Sequence, residues 1–330
     1  MKVVVIGGTG LIGSKLVSRL GGHGHEVVAA APDTGVDTLT GAGLADALTG
    51  ADVVVDVSST PFSGDAAELF ETSTRNLLAA EAVARVGHHV ALSVVGTGQS
   101  PQSGYFRARS AQEKLIENSG MPYSIVRATQ FHEFLPRMAD SATDDGAVRL
   151  APVLFQPVAG DDVTEAVGRI SAGAPVNGIV EVAGPEQFRM DRFFRDLLAA
   201  RNDPRTVVTD PHASYFGTSL GERTLLPGPN AILGTTHYRD RPDRTGGGNP
   251  TGDHAFLHEL ELTVRAELAE AEAGRLDEAA TGLPIEQWLS DPAETQLYEA
   301  GLRGLLGAVE AVEEDSRPRD KDLWNRHGRR

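Results

Sequence analysis

The sequence of 330 residues predicts an α/β protein on a doubly wound parallel sheet, with a smaller α+β lobe and an all-helical C-terminal extension. Three observations carry this. Short β-branched apolar runs alternate with longer stretches of helical periodicity through the first half, which makes parallel βαβ units and a sheet covered on both faces. The first run leads straight into a glycine turn that opens a helix. Past residue 240 a Gly/Pro-rich stretch gives way to a purely helical pattern.

Lys2–Ile6 is unbroken and β-branched, as a strand buried on both faces should be; Glu26–Ala31, Asp52–Val57, Val90–Val95 and Tyr123–Arg127 read the same way. Helices are expected at Leu11–Leu20, Leu44–Leu48, Asp65–Val86 and Arg109–Ser119. From about residue 146 the alternation becomes irregular: Asp161-Asp162 open a helix through Ile170, Gly178–Val182 reads as a strand, and Asp191–Arg201 carries the apolar stripe Phe193, Phe194, Leu197 and Leu198. Residues 1–240 therefore form one domain, with 146–240 as its substrate lobe. Residues 241–252, Arg-Pro-Asp-Arg-Thr-Gly-Gly-Gly-Asn-Pro-Thr-Gly, have the makeup of a linker. Residues 253–330 form an acidic helical extension. There Asp291-Pro292-Ala293-Glu294 is a helix start, and Tyr298, Leu302, Leu305, Val309 and Val312 make one apolar seam that fits a homodimer or a protein partner.

Hydrophobic residues make up 40% of the chain and charged residues 23%, enough apolar material for a real core. With 46 acidic against 30 basic side chains the net charge is −16, which argues against nucleic acid or an anionic membrane as partner, since both need clustered Lys and Arg. Zero Cys excludes disulfides and thiolate chemistry. No run of 18 apolar residues spans a bilayer, and the apolar N-terminal run is too short for a signal-peptide core, so a soluble cytoplasmic protein is expected.

Gly7-Gly8-Thr9-Gly10-Leu11-Ile12-Gly13 has the spacing G-x-x-G-x-x-G between the first strand and the first helix. Glycine is needed where the chain turns tightly, where backbone approaches a pyrophosphate and where helix meets strand. The helix start then offers N–H groups and partial positive charge to phosphates. In this strand–turn–helix context the pattern marks a Rossmann-like dinucleotide site, with Gly7, Thr9, Gly10, Leu11, Ile12 and Gly13 as cofactor-binding candidates. Asp33, 20 residues past Gly13, stands where a carboxylate accepts hydrogen bonds from the adenosine ribose, which favours NAD over NADP. His132, with Gln130-Phe131 before it, follows the fifth strand at the carboxyl edge where ligands sit in open α/β sheets; Gln130, Phe131 and His132 are the substrate-side candidates.

Further stretches occur in order along the chain: Asp56-Val57-Ser58-Ser59, Ser73-Thr74-Arg75-Asn76-Leu77-Leu78, His89–Gly96, Gly104-Tyr105-Phe106-Arg107-Ala108-Arg109 and Val126–Phe131. With the glycine turn, these make residues 1 to about 240 resemble the NmrA-like, NAD(P)-binding group of atypical short-chain dehydrogenase/reductases. The resemblance implies a Rossmann-like fold, binding of NAD or NADP with Ser58 and Ser59 in the cofactor site, and a catalytic set of Ser93, Tyr105 and Arg109. In that set the Tyr exchanges a proton with the substrate oxygen, the Ser polarises that oxygen, and a cation four residues past the Tyr lowers its pKa. Two residues four apart share a helix face, so the cation reaches the phenol. Arg109 stands where the family has Lys; arginine keeps the charge but cannot join a proton relay.

The sequence thus points to an NAD(P)-dependent oxidoreductase acting on a small carbonyl, enone or quinone. The competing reading is a non-catalytic NAD(P) sensor or scaffold that docks a partner through residues 253–330. No metal site is expected: His254 and His258 share a helix face, but Glu259 is adjacent rather than between them and no third ligand is evident.

Overall fold

The computed structural model describes residues 1–59, 66–99 and 103–240. The chain divides into two units, Met1–Asp243 and Arg244–Arg330. The linker 241–252, the helical extension 253–330 with its Tyr298–Val312 seam, and His254, His258 and Glu259 lie outside the described residues.

In the first half β1 (Lys2–Ile6), α1 (Leu11–Gly22), β2 (Glu26–Ala30), α2 (Leu44–Leu48), β3 (Val53–Asp56), α3 (Ala66–Ala84), β4 (His88–Val94), α4 (Gly104–Glu117) and β5 (Tyr123–Ala128) alternate. They are followed by α5 (Leu135–Ser141), β6 (Thr143–Asp144), β7 (Ala147–Leu150), β8 (Leu154–Phe155), α6 (Gly160–Ser171), β9 (Gly178–Ala183), β10 (Phe188–Arg189), α7 (Met190–Ala200), β11 (Thr206–Thr209) and β12 (Ile232–Leu233). Seven strands form one sheet in the order β12-β9-β5-β4-β3-β1-β2, and every neighbouring pair is parallel. The architecture is Rossmann-like, as expected.

Alternation along β1 explains why the sheet is covered twice. Val3 and Val5 pack with Ile12, Leu16 and Leu20 of α1 and Val163 and Val167 of α6. Val4 and Ile6 face the other way, onto Leu44 and Leu48 of α2 and Leu77 of α3. Each such side chain contributes about 1.5–3 kcal/mol on burial, so both faces must be apolar and the strand reads as a continuous run. Between β2 and β3 the chain makes a short 3-10 helix, Pro32–Thr34, and α2 rather than another strand. β1 therefore lies between β2 and β3, with Ile6 in register with both Ala30 and Asp56. The chain leaves β1 in one direction and returns on its other side, and the carboxyl ends at such a switch point form the ligand crevice of open α/β sheets.

The lobe has its own core. Phe155 of β8 meets the ring of Phe193 edge-on at 5.2 Å and stacks with Phe194 at 6.1 Å, so the stripe foreseen on α7 is buried. Phe106 of α4 joins the same cluster and ties the lobe to the main sheet.

Two differences from the sequence reading bear on the site. α4 starts at Gly104, five residues before the expected Arg109, because Ser103 caps it by accepting the Phe106 N–H at 3.5 Å. Tyr105 and Arg109 consequently stand on one helix. α6 begins at Gly160, with Asp161 and Asp162 in its first turn rather than at the cap, and Asp162 instead holds the Thr236 N–H at 3.0 Å and its hydroxyl at 3.1 Å.

Candidate functional site

The glycine turn sits at the switch point, and three of its glycines are sterically required. Gly7 has φ +74°, donates its N–H to Ala30 O at 2.8 Å, and a Cβ there would lie 3.0 Å from Ser58 Cα. A Cβ on Gly8 would lie 2.7 Å from Ala29 Cα, and one on Gly13 would lie 2.0 Å from Gly7 O. Gly10 is the N-cap of α1; no side chain caps the helix and its first turn holds no acidic residue. The N–H groups of Leu11, Ile12 and Gly13 at this end are donors suited to an anion. The donor set and the close glycine packing fit a dinucleotide diphosphate. Asp33 is exposed in the 3-10 helix just after β2, and the Thr9 hydroxyl donates to its Oδ1 at 3.2 Å.

A buried polar chain runs from β3 to α4. The Asp56 carboxylate, 5% exposed at the end of β3, accepts from the Ser58 N–H at 2.9 Å, the Ser58 hydroxyl at 2.6 Å and the Gln112 amide at 3.0 Å. Gln112 in turn accepts from Arg109 Nη1 at 2.8 Å. Arg109 also donates to Leu92 O and Ser58 O, both at 3.2 Å. Its guanidinium lies 4.2 Å from the Phe70 ring centre and 5.7 Å from that of Tyr105. Ser59, next along, is exposed.

Ser93, near the end of β4, donates its hydroxyl to Glu113 Oε1 at 2.6 Å. Glu113 also takes Arg127 Nε at 2.9 Å and Nη2 at 2.5 Å, and this bond holds the Arg127 pKa above its ordinary value. One carboxylate thereby joins β4, α4 and β5.

Tyr105 is half-buried in the first turn of α4, edge-on to Phe106 at 5.8 Å and tilted to Phe216 at 6.5 Å. Beyond the sheet edge, Gln130 O accepts from the Val158 N–H at 2.9 Å and the His132 N–H donates to Val158 O at 2.8 Å. The His132 ring is buried edge-on to Tyr238 at 5.1 Å, while Phe131 stacks on Phe134 at 5.6 Å. Burial pushes the Tyr215 phenol up, the Tyr105 phenol reinforces the rise, and Gln130 offsets part of it. Tyr105, Tyr215 and Gln130 thus share one locality. The structure brings Ser58, Arg109 and Tyr105 together beside the glycine turn, whereas Ser93 is engaged one strand further along with Glu113.

Sequence reasoning missed Gln112, Glu113, Arg127, Tyr215 and Phe216. A signal existed for two of them: Arg127 is a charge inside an apolar strand, and Glu113 lies one helical turn past Arg109. Both patterns ask for a buried counter-charge.

Residues 7–149 match the model of a family described as NAD(P)H-binding. No curated protein matches the chain. Among solved structures the chain resembles an NADPH-dependent quinone oxidoreductase from Escherichia coli complexed with NADPH, at 21% identity over 63% of this chain and 77% of that one, TM-score 0.51. It resembles a Thermus thermophilus UDP-glucose 4-epimerase in complex with NAD at 18% identity over 68% of this chain and 92% of that one, TM-score 0.54. A dTDP-glucose 4,6-dehydratase from Streptomyces venezuelae is similar at 18% identity over 73% of this chain and 94% of that one, TM-score 0.56. At these identities the likeness is one of fold. Residues 7–149 are accordingly those of an NAD(P)H-binding domain, set on a Rossmann-like sheet.

Proposed function

We propose that the chain is an NAD- or NADP-dependent oxidoreductase that transfers hydride to or from a small carbonyl, enone or quinone. The observation that carries this is the placing of Tyr105 and Arg109 one helical turn apart on α4, with Arg109 bonded to Ser58 O beside the glycine turn. When bound, the nicotinamide supplies or takes the hydride. The chain does the rest. Tyr105 donates the proton to the substrate oxygen, or removes it in the reverse direction, with the Arg109 guanidinium 5.7 Å from its ring centre. Ser93 in this reading anchors α4 to β4 through Glu113 and so fixes where the phenol stands. Gln130, Phe131 and His132 shape the substrate side. Asp33 at the ribose position favours NAD, since a carboxylate repels a 2′-phosphate. The quinone reductase among the fold neighbours is in keeping with the reading.

One observation favours the sensor reading: both terminal nitrogens of Arg109 are spent on Leu92 O, Gln112 and Ser58 O, and the Ser93 hydroxyl donates to Glu113, as side chains of a structural core would be. In that case the partner would dock through residues 253–330, as a protein or as a second copy. Among the described residues no helix is long and apolar enough to cross a membrane.

The test is loss of nicotinamide absorbance over a panel of carbonyls, enones and quinones, with Tyr105→Phe as the control. Turnover by the parent that falls about 100-fold or more in the variant, at unchanged nucleotide affinity, supports the enzyme. Tight nucleotide binding with silence across the panel supports the sensor.

A further inference from the structure

We infer that Phe216 is held in a strained turn because its ring, together with that of Tyr105, forms the surface that selects a flat, unsaturated carbonyl substrate; this rests on reading Tyr105 as the proton donor. The turn is a two-residue hairpin. The Tyr215 N–H donates to Thr218 O at 2.7 Å and the Thr218 N–H to Tyr215 O at 3.1 Å. The two residues between them both have positive φ, +45° at Phe216 and +77° at Gly217. That pattern is a type I′ turn, whose first central position favours Asn, Asp or Gly. A bulky residue there is an outlier that persists only where the surroundings over-determine it, and such residues cluster at ligand clamps.

The other non-glycine residues at positive φ among the described residues are Arg85, Asp145, Asn177 and Asn202, so in three of them the side chain is one that tolerates the conformation. Arg85 and Phe216 are the two whose side chains do not favour it, and of these Phe216 has its ring beside Tyr105. It lies 4.6 Å from the Tyr215 ring and 6.5 Å from the Tyr105 ring, and the Tyr215 ring lies 6.4 Å from that of Phe106. The hairpin therefore rests on the first turn of α4. Thr218, 4% exposed, pins its far side, so this is not a loose loop tip. Phe216 and Tyr105 are both half-buried, and aromatic faces attract flat rings by stacking and edge contacts that a puckered saturated ring of equal size cannot reproduce. Tyr105, the proton donor of that reading, stands beside the Phe216 ring and so meets the carbonyl oxygen of such a ligand.

The experiment uses the full chain, with Phe216→Asn, which installs the favoured Asn-Gly turn, and Phe216→Tyr, which restores the ring. Melting temperature is measured together with calorimetric binding of two unreactive probes, 2-naphthamide and its saturated decahydro counterpart, and of the nucleotide. The expected result is that Phe216→Asn melts about 2 °C or more higher, as relief of strain should give. Its affinity for 2-naphthamide should fall about 10-fold while the saturated probe changes by less than about 2-fold, and Phe216→Tyr should recover the discrimination. A Phe216→Asn variant that melts at or below the parent, or that binds 2-naphthamide as the parent does, overturns the inference. So does a parent that does not distinguish the two probes. Nicotinamide oxidation by the parent over the panel of carbonyls, enones and quinones reports separately on the oxidoreductase reading.

Discussion

Arg109 is 5% exposed, and its guanidinium is tied to Leu92 O, Gln112 and Ser58 O. Removing it leaves two buried acceptors and one half-buried acceptor without this donor, so Arg109→Met should lower stability by about 3 kcal/mol in urea unfolding. Arg109→Lys should recover less than half of that, because one ammonium cannot span the three acceptors. Full recovery would show that the charge alone matters. Two adjacent histidines on β4 give opposite pH signatures. Burial, with the neighbouring His89, lowers His88 to about 4, and its Nε2 lies 2.9 Å from Ser124 Oγ. Burial also opposes charge on His89, but Glu81, 2.9 Å from Nδ1, and Asp56 outweigh it and the pKa is raised. The His88 contribution is complete above the ordinary pKa of 6.5 and is lost as pH falls toward 4, because the unfolded chain then binds the extra proton. His89 acts the other way: its contribution is complete below 6.5 and is lost as pH rises through its folded value. In His88→Gln the acid-side loss should shrink by up to about 3 kcal/mol. An unchanged acid limb in denaturant titrations would contradict this. At this scale the Tyr105–Arg109 spacing was legible because it is local. Gln112 was not, since its Asp56 partner lies 56 positions away and no local pattern announces it.

At the scale of elements, β1 and α1 were legible because each carries its own signal: an unbroken apolar strand, a glycine turn and a helical stripe. The start of α4 was hidden, since Gly104 is a poor helix former and the apolar periodicity begins only later. Strands β6, β8, β10 and β12 are two residues long, too short for an alternation to be seen. The glycine turn makes a sharp prediction about packing. Gly13→Ala would set a Cβ 2.0 Å from Gly7 O, both of them held by backbone, so it should cost about 3 kcal/mol and lower the melting temperature by about 6 °C or more. A drop under about 2 °C would mean the turn is not packed as described.

For the whole molecule, the sheet class followed from the βα alternation, but the order β2-β1-β3 at one end of the sheet did not, because it depends on residues 35–43 forming no strand. Gly43, at φ +73° with Gly35 O 2.2 Å from where its Cβ would be, keeps that segment folded on itself. The four core clusters among the described residues draw on positions between Val3 and Leu225. The sheet and the glycine turn both lie within Met1–Asp243, so truncation after Asp243 should leave a protein that still binds the nucleotide, read by calorimetry. A change of oligomeric state on truncation, read by light scattering, would assign association to residues 244–330. The central claim is that backbone amides at the β1–α1 turn hold the dinucleotide diphosphate. Calorimetry on the parent and on Gly10→Ala tests it most directly, since a Cβ at Gly10 meets only Gly7 O at 3.3 Å and the fold should tolerate it. The account predicts one-to-one binding of NADH or NADPH by the parent and affinity about 10-fold weaker or worse in the variant, at nearly unchanged melting temperature. No heat from either nucleotide at millimolar concentration, or equal affinity in the two proteins, would contradict it.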